Sequence, residues 1–336
     1  MAEGNRVVTV GVDTHKDAHV AAALDASGAL LGTASFPADA RGYASMVAGT
    51  GGYGAGLARA LDAAGVRVLE VSAPDRSERR RRGKSDGIDA EQAARAALAG
   101  TRCAPAKSRC AEMGALGALE AAYAGAVKAR TAALNALQAQ VVALPEEARA
   151  PLRGKGSSEL VRACASMRPG AGSSPETLAK VALRSLARRA RMLDEEAKGL
   201  EAEIDALTKA LAPSTRSLLG AGPHVAARLL LAAGANVSRL RSEASFSMLC
   251  GASPVPVSSG RADRHRLSRA GDRRANSALY TMAITRMAHD ERTRSYVARR
   301  MSEGKTKKDA IRCLKRYIAR EAYRALAQDM EALGMS

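Results

Sequence analysis

The stretch VTVGVDTHKDAHVAAAL, from Val8 to Leu24, begins the first folded element of the chain. An apolar run ends at Val12, a polar group begins with Asp13, and apolar residues resume at Ala18. This pattern predicts two strands separated by a turn. An aspartate at this place is either an ordinary turn residue or a metal ligand at the end of a buried strand.

The residues that follow alternate predicted strands and helices. Strands are predicted at 7–13, 19–24, 29–36 and 66–71, and helices at 52–65 and after the basic loop that begins at 74. Short strands punctuated by glycine and aspartate form a β-meander in the first part of this region. The first hundred residues are therefore predicted to form an α/β domain.

The middle of the chain is predicted to be helical. One Ala-rich helix covers 111–145, a loop-rich segment covers 146–174, and a second helix covers 175–212. In the second helix leucines recur every seven residues, at Leu186, Leu193, Leu200 and Leu207, with Ile204 and Leu211 at the other seam position. This repeat is typical of a coiled coil, and an ordinary bundle helix is the alternative. The predicted domains are 1–105, a helical connector at 106–212 and a mainly α-helical domain at 213–336.

The overall charge points to a polyanionic partner. The 336 residues carry 52 Lys and Arg against 34 Asp and Glu, a formal net charge of +18. Nucleic acid is the first candidate partner and an anionic membrane surface the second. No apolar run approaches the roughly 20 residues of a membrane span. Residues 1–6 do not resemble a signal peptide, so we expect a cytoplasmic protein.

The cysteine and aromatic content argues against disulfides, a zinc site and a base-stacking surface. The five cysteines are odd in number and form no CxxC pair, which favours reduced thiols over disulfides or a zinc site. Aromatic residues make up 3% of the chain, and tryptophan is absent. Base stacking is therefore a poor mode of nucleic-acid binding here, and phosphate contact by arginine is a better one.

Two carboxylates open a predicted helix in the sequence KSDGIDAEQAAR. Asp86 and Asp89 are three residues apart, so both lie on one side of the helix start. Together with Asp13 they could hold a divalent cation through carboxylate oxygens. The alternative is that they only cap the helix.

Basic residues and serines surround two loops. A basic run either forms a solvated face or, beside carboxylates, guides a polyanion to a metal ion. The candidate phosphate-binding residues are Arg79, Arg80, Arg81, Arg82, Lys84, Arg261, Arg264, Arg266, Arg269, Arg273 and Arg274. Ser258 and Ser259 precede Gly260 in the second loop. A serine among arginines is either a nucleophile for a phosphodiester or an ordinary loop residue.

Five motifs occur in the order found in one family. They are GVDTHKD, GTGGYGAGLARAL, RRRRGKSDGIDAEQAARA, LCGASPVPVSSG and HRLSRAGDRRANSALY. Over about 300 residues the chain resembles the bacterial insertion-sequence 110 (IS110) transposases, relatives of the pilin-gene invertase Piv. The resemblance implies an α/β plus α fold: an N-terminal RNase H/RuvC-like mixed sheet, here shortened, a coiled-coil connector and a mainly α C-terminal domain.

The resemblance also implies a site and partners. Asp13 matches the first carboxylate of the family's DEDD set, Asp86 and Asp89 match the last two, and Ser259 matches the nucleophile, with Ser258 as the alternative. The expected cofactor is Mg²⁺ or Mn²⁺. The expected partners are element and target DNA, a structured bridge RNA that guides the enzyme, and further copies of the chain in a dimer or tetramer at the bacterial nucleoid. No membrane partner is expected.

One position departs from the family pattern. The family glutamate precedes the glycine-rich motif, and the matching residue here is Ala48, after a shortened stretch. We therefore predict reduced or absent strand transfer, since one of four carboxylates is lost. Two alternatives remain at this point: a RuvC-like structure-selective nuclease without a serine step, and a catalytically dead remnant that binds nucleic acid.

Overall fold

The computed structural model describes residues 8–39, 41–42, 61, 64–66, 68–71, 85–100, 103–105, 111–234, 242–256, 265–267 and 271–333. They belong to two compact units. The N-terminal unit comprises Met1–Cys110, Ala233–Arg241 and Met335–Ser336, and the helical unit comprises Ala111–Ala232 and Ser242–Gly334. The three-domain division, with boundaries after 105 and 212, remains a prediction.

Three antiparallel strands open the N-terminal unit, in the order β1-β2-β3. They are β1 (Thr9–Thr14), β2 (Ala18–Leu24) and β3 (Leu30–Pro37). β2 is the inner strand, and its Ala22 and Leu24 are fully buried. The turn into β3 is held by Asp25, whose Oδ1 accepts hydrogen bonds from the backbone N–H groups of Ser27 and Ala29, each at 2.9 Å. The predicted β-meander is confirmed.

Helix α1 (Asp86–Leu98) packs on β1 with almost no space between the two backbones. A Cβ atom on Gly11 would lie 2.1 Å from the carbonyl oxygen of Ala90 and 2.1 Å from the nitrogen of Ala94. Both alanines are fully buried. The missing side chain at Gly11 therefore lets the helix lie directly on the strand. The helix predicted after the basic loop is confirmed.

Two short strands form a separate pair. β4 (Leu69–Val71) pairs with β5 (Cys103–Pro105) in antiparallel register. β4 falls within the strand predicted at 66–71. All strand pairings in the described part of the chain are antiparallel. The mixed α/β character is confirmed, and the RNase H-like mixed sheet remains a prediction. Most of the helix predicted at 52–65 lies outside the described residues.

The helical unit is built from helices of very different lengths. Its described α-helices are α2 (Ala111–Val142), α3 (Glu146–Arg149), α4 (Ser157–Ala165), α5 (Pro175–Leu211), α6 (Pro213–Arg216), α7 (Pro223–Ala233), α8 (Glu243–Leu249), α9 (Arg273–His289), α10 (Glu291–Ser302) and α11 (Lys307–Ala332). A 3₁₀ turn covers Ala150–Leu152, and β6 (Pro254–Pro256) pairs with β7 (His265–Leu267).

The long helices α2 and α5 run antiparallel along each other. Arg130 of α2 pairs with Asp194 of α5. Farther along α2, Leu137 packs in a core that contains Ala187, which is earlier on α5. Because the position on α5 decreases as the position on α2 increases, the two helices point in opposite directions.

The buried face of α5 follows the predicted seven-residue repeat, but the centre of the face lies one residue after the predicted leucines. Its buried residues are Leu183, Ala187, Ala190, Leu193, Ala197, Ile204, Thr208 and Leu211. Asp194 and Glu201 fill the remaining positions of the three-four repeat, one residue after the predicted leucines. Leu186, Leu200 and Leu207 lie half-buried at its edge. Half of the buried residues of α5 are Ala or Thr, and the helix that packs along α5, α2, is rich in alanine. The coiled coil itself remains a prediction.

The segment predicted as loop-rich, 146–174, contains regular structure. It includes α3, a 3₁₀ turn and α4. Leu160 and Cys164 of α4 pack in one core with Leu137 and Leu183 of the long helices. Leu160 and Cys164 are four residues apart, which places them on one face of a helix. The apolar residues of this segment lie between stretches rich in Gly, Pro and Ser, and those stretches led to the loop prediction.

The C-terminal helix α11 is the centre of the last part of the chain. It packs against α6, α8, α9 and α10, and its Ile318 and Leu326 are fully buried. Near its end the buried carboxylate of Asp329 accepts hydrogen bonds from the backbone N–H groups of Ser214 and Thr215, at 2.7 and 2.9 Å. This carboxylate therefore caps the start of α6 and joins it to the end of α11.

No described helix is both long enough and apolar enough for a membrane span. The longest, α5, carries ion pairs along its surface, including Lys198 with Asp194 and Lys209 with Asp205.

Candidate functional site

Asp13 lies near the end of β1, opposite Val20 of β2. Its Oδ1 accepts a hydrogen bond from the Thr14 backbone N–H at 3.0 Å. Its side chain is 27% exposed, so the second carboxylate oxygen is accessible to a ligand. The strand holds the backbone and the next N–H orients the carboxylate, which gives Asp13 a defined direction at the edge of the sheet.

Asp86 is the first residue of α1, and Asp89 lies in the same turn. The preceding Ser85 is the N-cap, with an extended backbone and an Oγ that accepts from the Ile88 N–H at 3.4 Å. Carboxylates in the first turn are stabilised by the positive end of the helix dipole. The capping role proposed as the alternative for the two aspartates is thus filled at least partly by Ser85.

The contact between α1 and β1 brings two predicted carboxylates together around a histidine. His15 Nε2 lies 3.5 Å from Asp13 Oδ2 and 3.3 Å from Asp86 Oδ2. One possible ligand atom from each of these three residues lies within 4.8 Å of the other two. Two carboxylate oxygens and one imidazole nitrogen at this spacing fit a single divalent cation. Asp89, although it is a described residue, is not part of this group of three, and its role as a ligand remains a prediction.

Sequence reasoning did not single out His15. It follows Asp13 by two residues, and side chains two apart along an extended chain project to the same face. That spacing was a signal for a shared site. Its second contact, with Asp86, depends on how α1 packs and could not be inferred from spacing.

The predicted serine segment is flanked by paired strands. β6 and β7 are antiparallel, with Val255 opposite Arg266. The residues that connect them, 257–264, include Ser258, Ser259, Arg261 and Arg264 and lie outside the described residues.

A buried polar network fixes the base of this segment. The Asn276 side chain on α9 donates to the carbonyl oxygens of Cys250 and Gly251 at 2.8 and 3.0 Å. Its Oδ1 accepts from Lys315 Nζ of α11 at 2.8 Å. A Cβ atom on Gly271 would lie 2.2 Å from the Gly251 nitrogen. The chain before β6 and the chain after β7 are therefore in direct contact.

Burial shifts the pKa values of two titratable groups in this network. Burial lowers the pKa of Lys315, which is 5% exposed. Burial, with a smaller contribution from the charge of Asp272, raises the pKa of Cys250 to about 12. The Cys250 thiol is therefore protonated at neutral pH, which makes it a structural residue and not a reactive thiolate.

We expect Asn276→Ala to lower the free energy of unfolding by about 2 kcal/mol. The change leaves a buried ammonium and two buried carbonyl groups without the amide that bonds them. Urea denaturation followed by circular dichroism would measure the effect. Asn135→Ala, an exposed asparagine on α2, is the matched control and should change stability little. Equal midpoints for the two variants would contradict the prediction.

The predicted basic residues are described only in part. Arg273 and Arg274 begin α9 and are exposed. Arg266 is described as a residue of β7. The others, namely Arg79, Arg80, Arg81, Arg82, Lys84, Arg261, Arg264 and Arg269, lie outside the described residues, as does Ala48.

Comparison with known proteins gives consistent matches in both parts of the chain. The IS110 DEDD family model, described as Transposase, matches residues 10–144. A second model, described as Transposase IS116/IS110/IS902 family, matches residues 214–298. The chain is also similar to the insertion element IS110 uncharacterized 43.6 kDa protein of Streptomyces coelicolor, with 32% identity over 130 residues. That alignment covers 38% of this chain and 32% of the relative, about a third of the relative's length.

Proposed function

This chain belongs to the IS110 family of insertion-sequence transposases, and from that premise we propose that it is a DNA recombinase that cuts and rejoins DNA during transposition. The observation that carries the proposal is the meeting of Asp13 and Asp86. They come from a strand and a helix 73 residues apart in sequence, and both contact His15. The meeting lies within the region that the DEDD transposase model matches.

We propose that Asp13, Asp86 and Asp89 hold Mg²⁺ or Mn²⁺. The carboxylate oxygens of Asp13 and Asp86 are the kind of ligand that these ions prefer. A bound divalent cation supplies positive charge that polarises a phosphodiester toward attack. The protein contributes the fixed positions: β1 holds Asp13, and the capped start of α1 holds Asp86.

We propose that Ser259 is the nucleophile. Its hydroxyl oxygen forms a bond to a DNA phosphorus, one bridging P–O bond breaks, and the hydroxyl proton ends on the released DNA oxygen. Rejoining reverses the step, with a DNA hydroxyl attacking the phosphoserine and returning the proton to serine. Ser258 is the alternative nucleophile. The network around Asn276 would support the segment that carries both serines.

The proposed DNA contacts are electrostatic. Arg273 and Arg274 are exposed at the start of α9, and the remaining predicted arginines and Lys84 would add phosphate contacts. Such contacts position a duplex without reading its sequence. DNA binding should therefore weaken steeply as salt concentration rises.

The proposal also covers the choice of the DNA target and the oligomeric state of the protein. The resemblance to IS110 transposases implies a structured guide RNA, and we propose that this RNA supplies target choice, which phosphate contacts do not. We also propose a homodimer or homotetramer as the working form, located in the cytoplasm at the nucleoid, where its DNA substrate lies.

Ala48 lies at the position of the family glutamate, and it bears on how active this chain is. Ala48 provides no carboxylate, so we propose that this chain has reduced strand-transfer activity. A chain without any cleavage activity would be a nucleic-acid-binding remnant. A structure-selective nuclease would instead cleave DNA through its metal site without a serine adduct.

The decisive experiment looks for a covalent protein–DNA adduct. Purified full chain is incubated with Mg²⁺ or Mn²⁺, the element's RNA and nicked DNA carrying the element's junction, then run on a denaturing gel. Ser259→Ala, Ser258→Ala and Asp13→Asn run alongside, with a version whose segment around Ala48 is rebuilt to carry the glutamate. We expect a weak adduct that Ser259→Ala and Asp13→Asn abolish and Ser258→Ala retains.

The other outcomes separate the alternatives. An adduct only in the rebuilt version would identify a broken recombinase. Cleavage that survives Ser259→Ala and Ser258→Ala would favour the nuclease. Salt-sensitive binding with no cleavage in any version would favour the remnant.

A further inference from the structure

His15 lies between the two carboxylates of the proposed metal centre. Its Nε2 is 3.3 Å from Asp86 Oδ2 and 3.5 Å from Asp13 Oδ2. The same nitrogen therefore faces both carboxylates, one from its own strand and one from α1. The His15 and Asp86 side chains are each 49% exposed, and the Asp13 side chain is 27% exposed. A hydrated cation could reach all three groups from solvent.

The spacing suits direct coordination. Ligands about 2.1 Å from a small divalent cation lie at most roughly 4.2 Å from one another. The ligand atoms of Asp13, His15 and Asp86 already lie within 4.8 Å of each other before any cation draws them together. Small side-chain rotations at an exposed site would close the difference.

The composition of the set determines which cation it favours. Mg²⁺ binds carboxylate and water oxygens and gains little from imidazole. Imidazole suits first-row transition metals such as Zn²⁺ and Fe²⁺ better than Mg²⁺, and Mn²⁺, the weakest binder of that series, still gains more from a nitrogen ligand than Mg²⁺ does. A site of two carboxylates and one histidine differs in this respect from one made of carboxylates alone.

We propose that His15 is a direct metal ligand beside the proposed ligands Asp13, Asp86 and Asp89, so that the centre is a mixed oxygen–nitrogen site that prefers Mn²⁺ to Mg²⁺. This inference rests on the proposed metal centre and names a further ligand of that centre. It makes His15 a residue that sets metal selectivity.

The test measures metal binding directly. The full chain is titrated with Mn²⁺, with free Mn²⁺ followed by its electron paramagnetic resonance signal, and Mg²⁺ affinity is obtained by displacement of Mn²⁺. We expect His15→Ala to weaken Mn²⁺ binding about tenfold and Mg²⁺ binding less than threefold. His289→Ala, which removes an exposed histidine at the end of α9, is the matched control and should leave both affinities unchanged.

Two further variants distinguish failure of the proposed role of His15 from failure of the proposed metal centre as a whole. Asp13→Asn and Asp86→Asn should lose Mn²⁺ and Mg²⁺ binding together. If they do so while His15→Ala binds Mn²⁺ normally, the centre stands and His15 is not a ligand. If none of the three variants changes binding, the centre itself is wrong.

One result would reverse the role of His15. If His15→Ala strengthened Mn²⁺ and Mg²⁺ binding equally, His15 would compete with the cation for the two carboxylates instead of ligating it. That outcome overturns the proposal.

Discussion

Glu120→Gln is expected to lower the free energy of unfolding of the helical unit by about 3 kcal/mol. Glu120 is 2% exposed on α2, and it meets two groups of α7. His224 Nδ1 lies 2.5 Å from its Oε1, and Arg228 Nε donates to its Oε2 at 3.2 Å. The substitution keeps the shape of the side chain and removes its charge, which leaves the Arg228 guanidinium, 26% exposed, without its carboxylate partner.

The matched control is Glu201→Gln on α5. Its carboxylate lies 3.6 Å from His224 Nε2, and its side chain is 47% exposed. An exposed pair at this distance contributes little, so we expect a change below about 0.5 kcal/mol. Urea unfolding of the full chain, followed by circular dichroism, gives both values. Equal losses of unfolding free energy in Glu120→Gln and Glu201→Gln would contradict the prediction, because burial of Glu120 would then add no stability.

The same residue predicts a pH dependence. Burial alone would raise the pKa of Glu120, but the hydrogen bond from His224 and the charge of Arg228 outweigh it, and the net pKa lies below the ordinary 4.5. A carboxylate with a lowered pKa stabilises the folded state above its unfolded pKa. This contribution is fully present above pH 4.5 and decreases as the pH falls. Below pH 4.5 the stability difference between wild type and Glu120→Gln should therefore narrow.

Gly11→Ala is expected to cost the N-terminal unit about 3 kcal/mol. The new methyl group would lie 2.1 Å from two backbone atoms of α1, belonging to Ala90 and Ala94. Neither partner is the end of a flexible side chain, so the helix has to move away from the strand. The move would also separate Asp86 from Asp13, and metal binding should weaken with stability.

Gly32→Ala on β3 is the matched control for this substitution. A Cβ atom there meets nothing within 4 Å, and the expected change is within about 0.5 kcal/mol. Hydrogen exchange of β1 and α1 peptides in the full chain would measure the effect locally. Unchanged protection in Gly11→Ala would mean that α1 does not depend on this close approach.

The elements that sequence predicted correctly are those fixed by local rules. Two apolar runs and the Asp-Ala-Ser-Gly turn between them determine β2 and β3. Two acidic residues in the first turn mark the start of α1 in sequence. The heptad spacing determines that α5 is a long helix with one buried side. Each of these signals lies within a few residues of the feature it predicts.

Other features required the tertiary structure because their partners are distant in sequence. The centre of the α5 seam lies one position after the predicted leucines, and it includes Asp194, which pairs with Arg130 of α2. The segment around α4 was predicted as loop because its core partners are on other helices. Glu120 and His224 are 104 residues apart, and no local pattern relates them.

The proposed metal centre depends both on local sequence signals and on tertiary contacts. The sequence by itself determined that Asp13 ends a strand and that Asp86 starts a helix, because strand periodicity and helix capping act over a few residues. Only the tertiary structure decided that these carboxylates meet, and that His15 lies between them. The physical reason is the contact of Gly11 with the backbone of α1, since the absence of one Cβ atom sets how closely strand and helix approach.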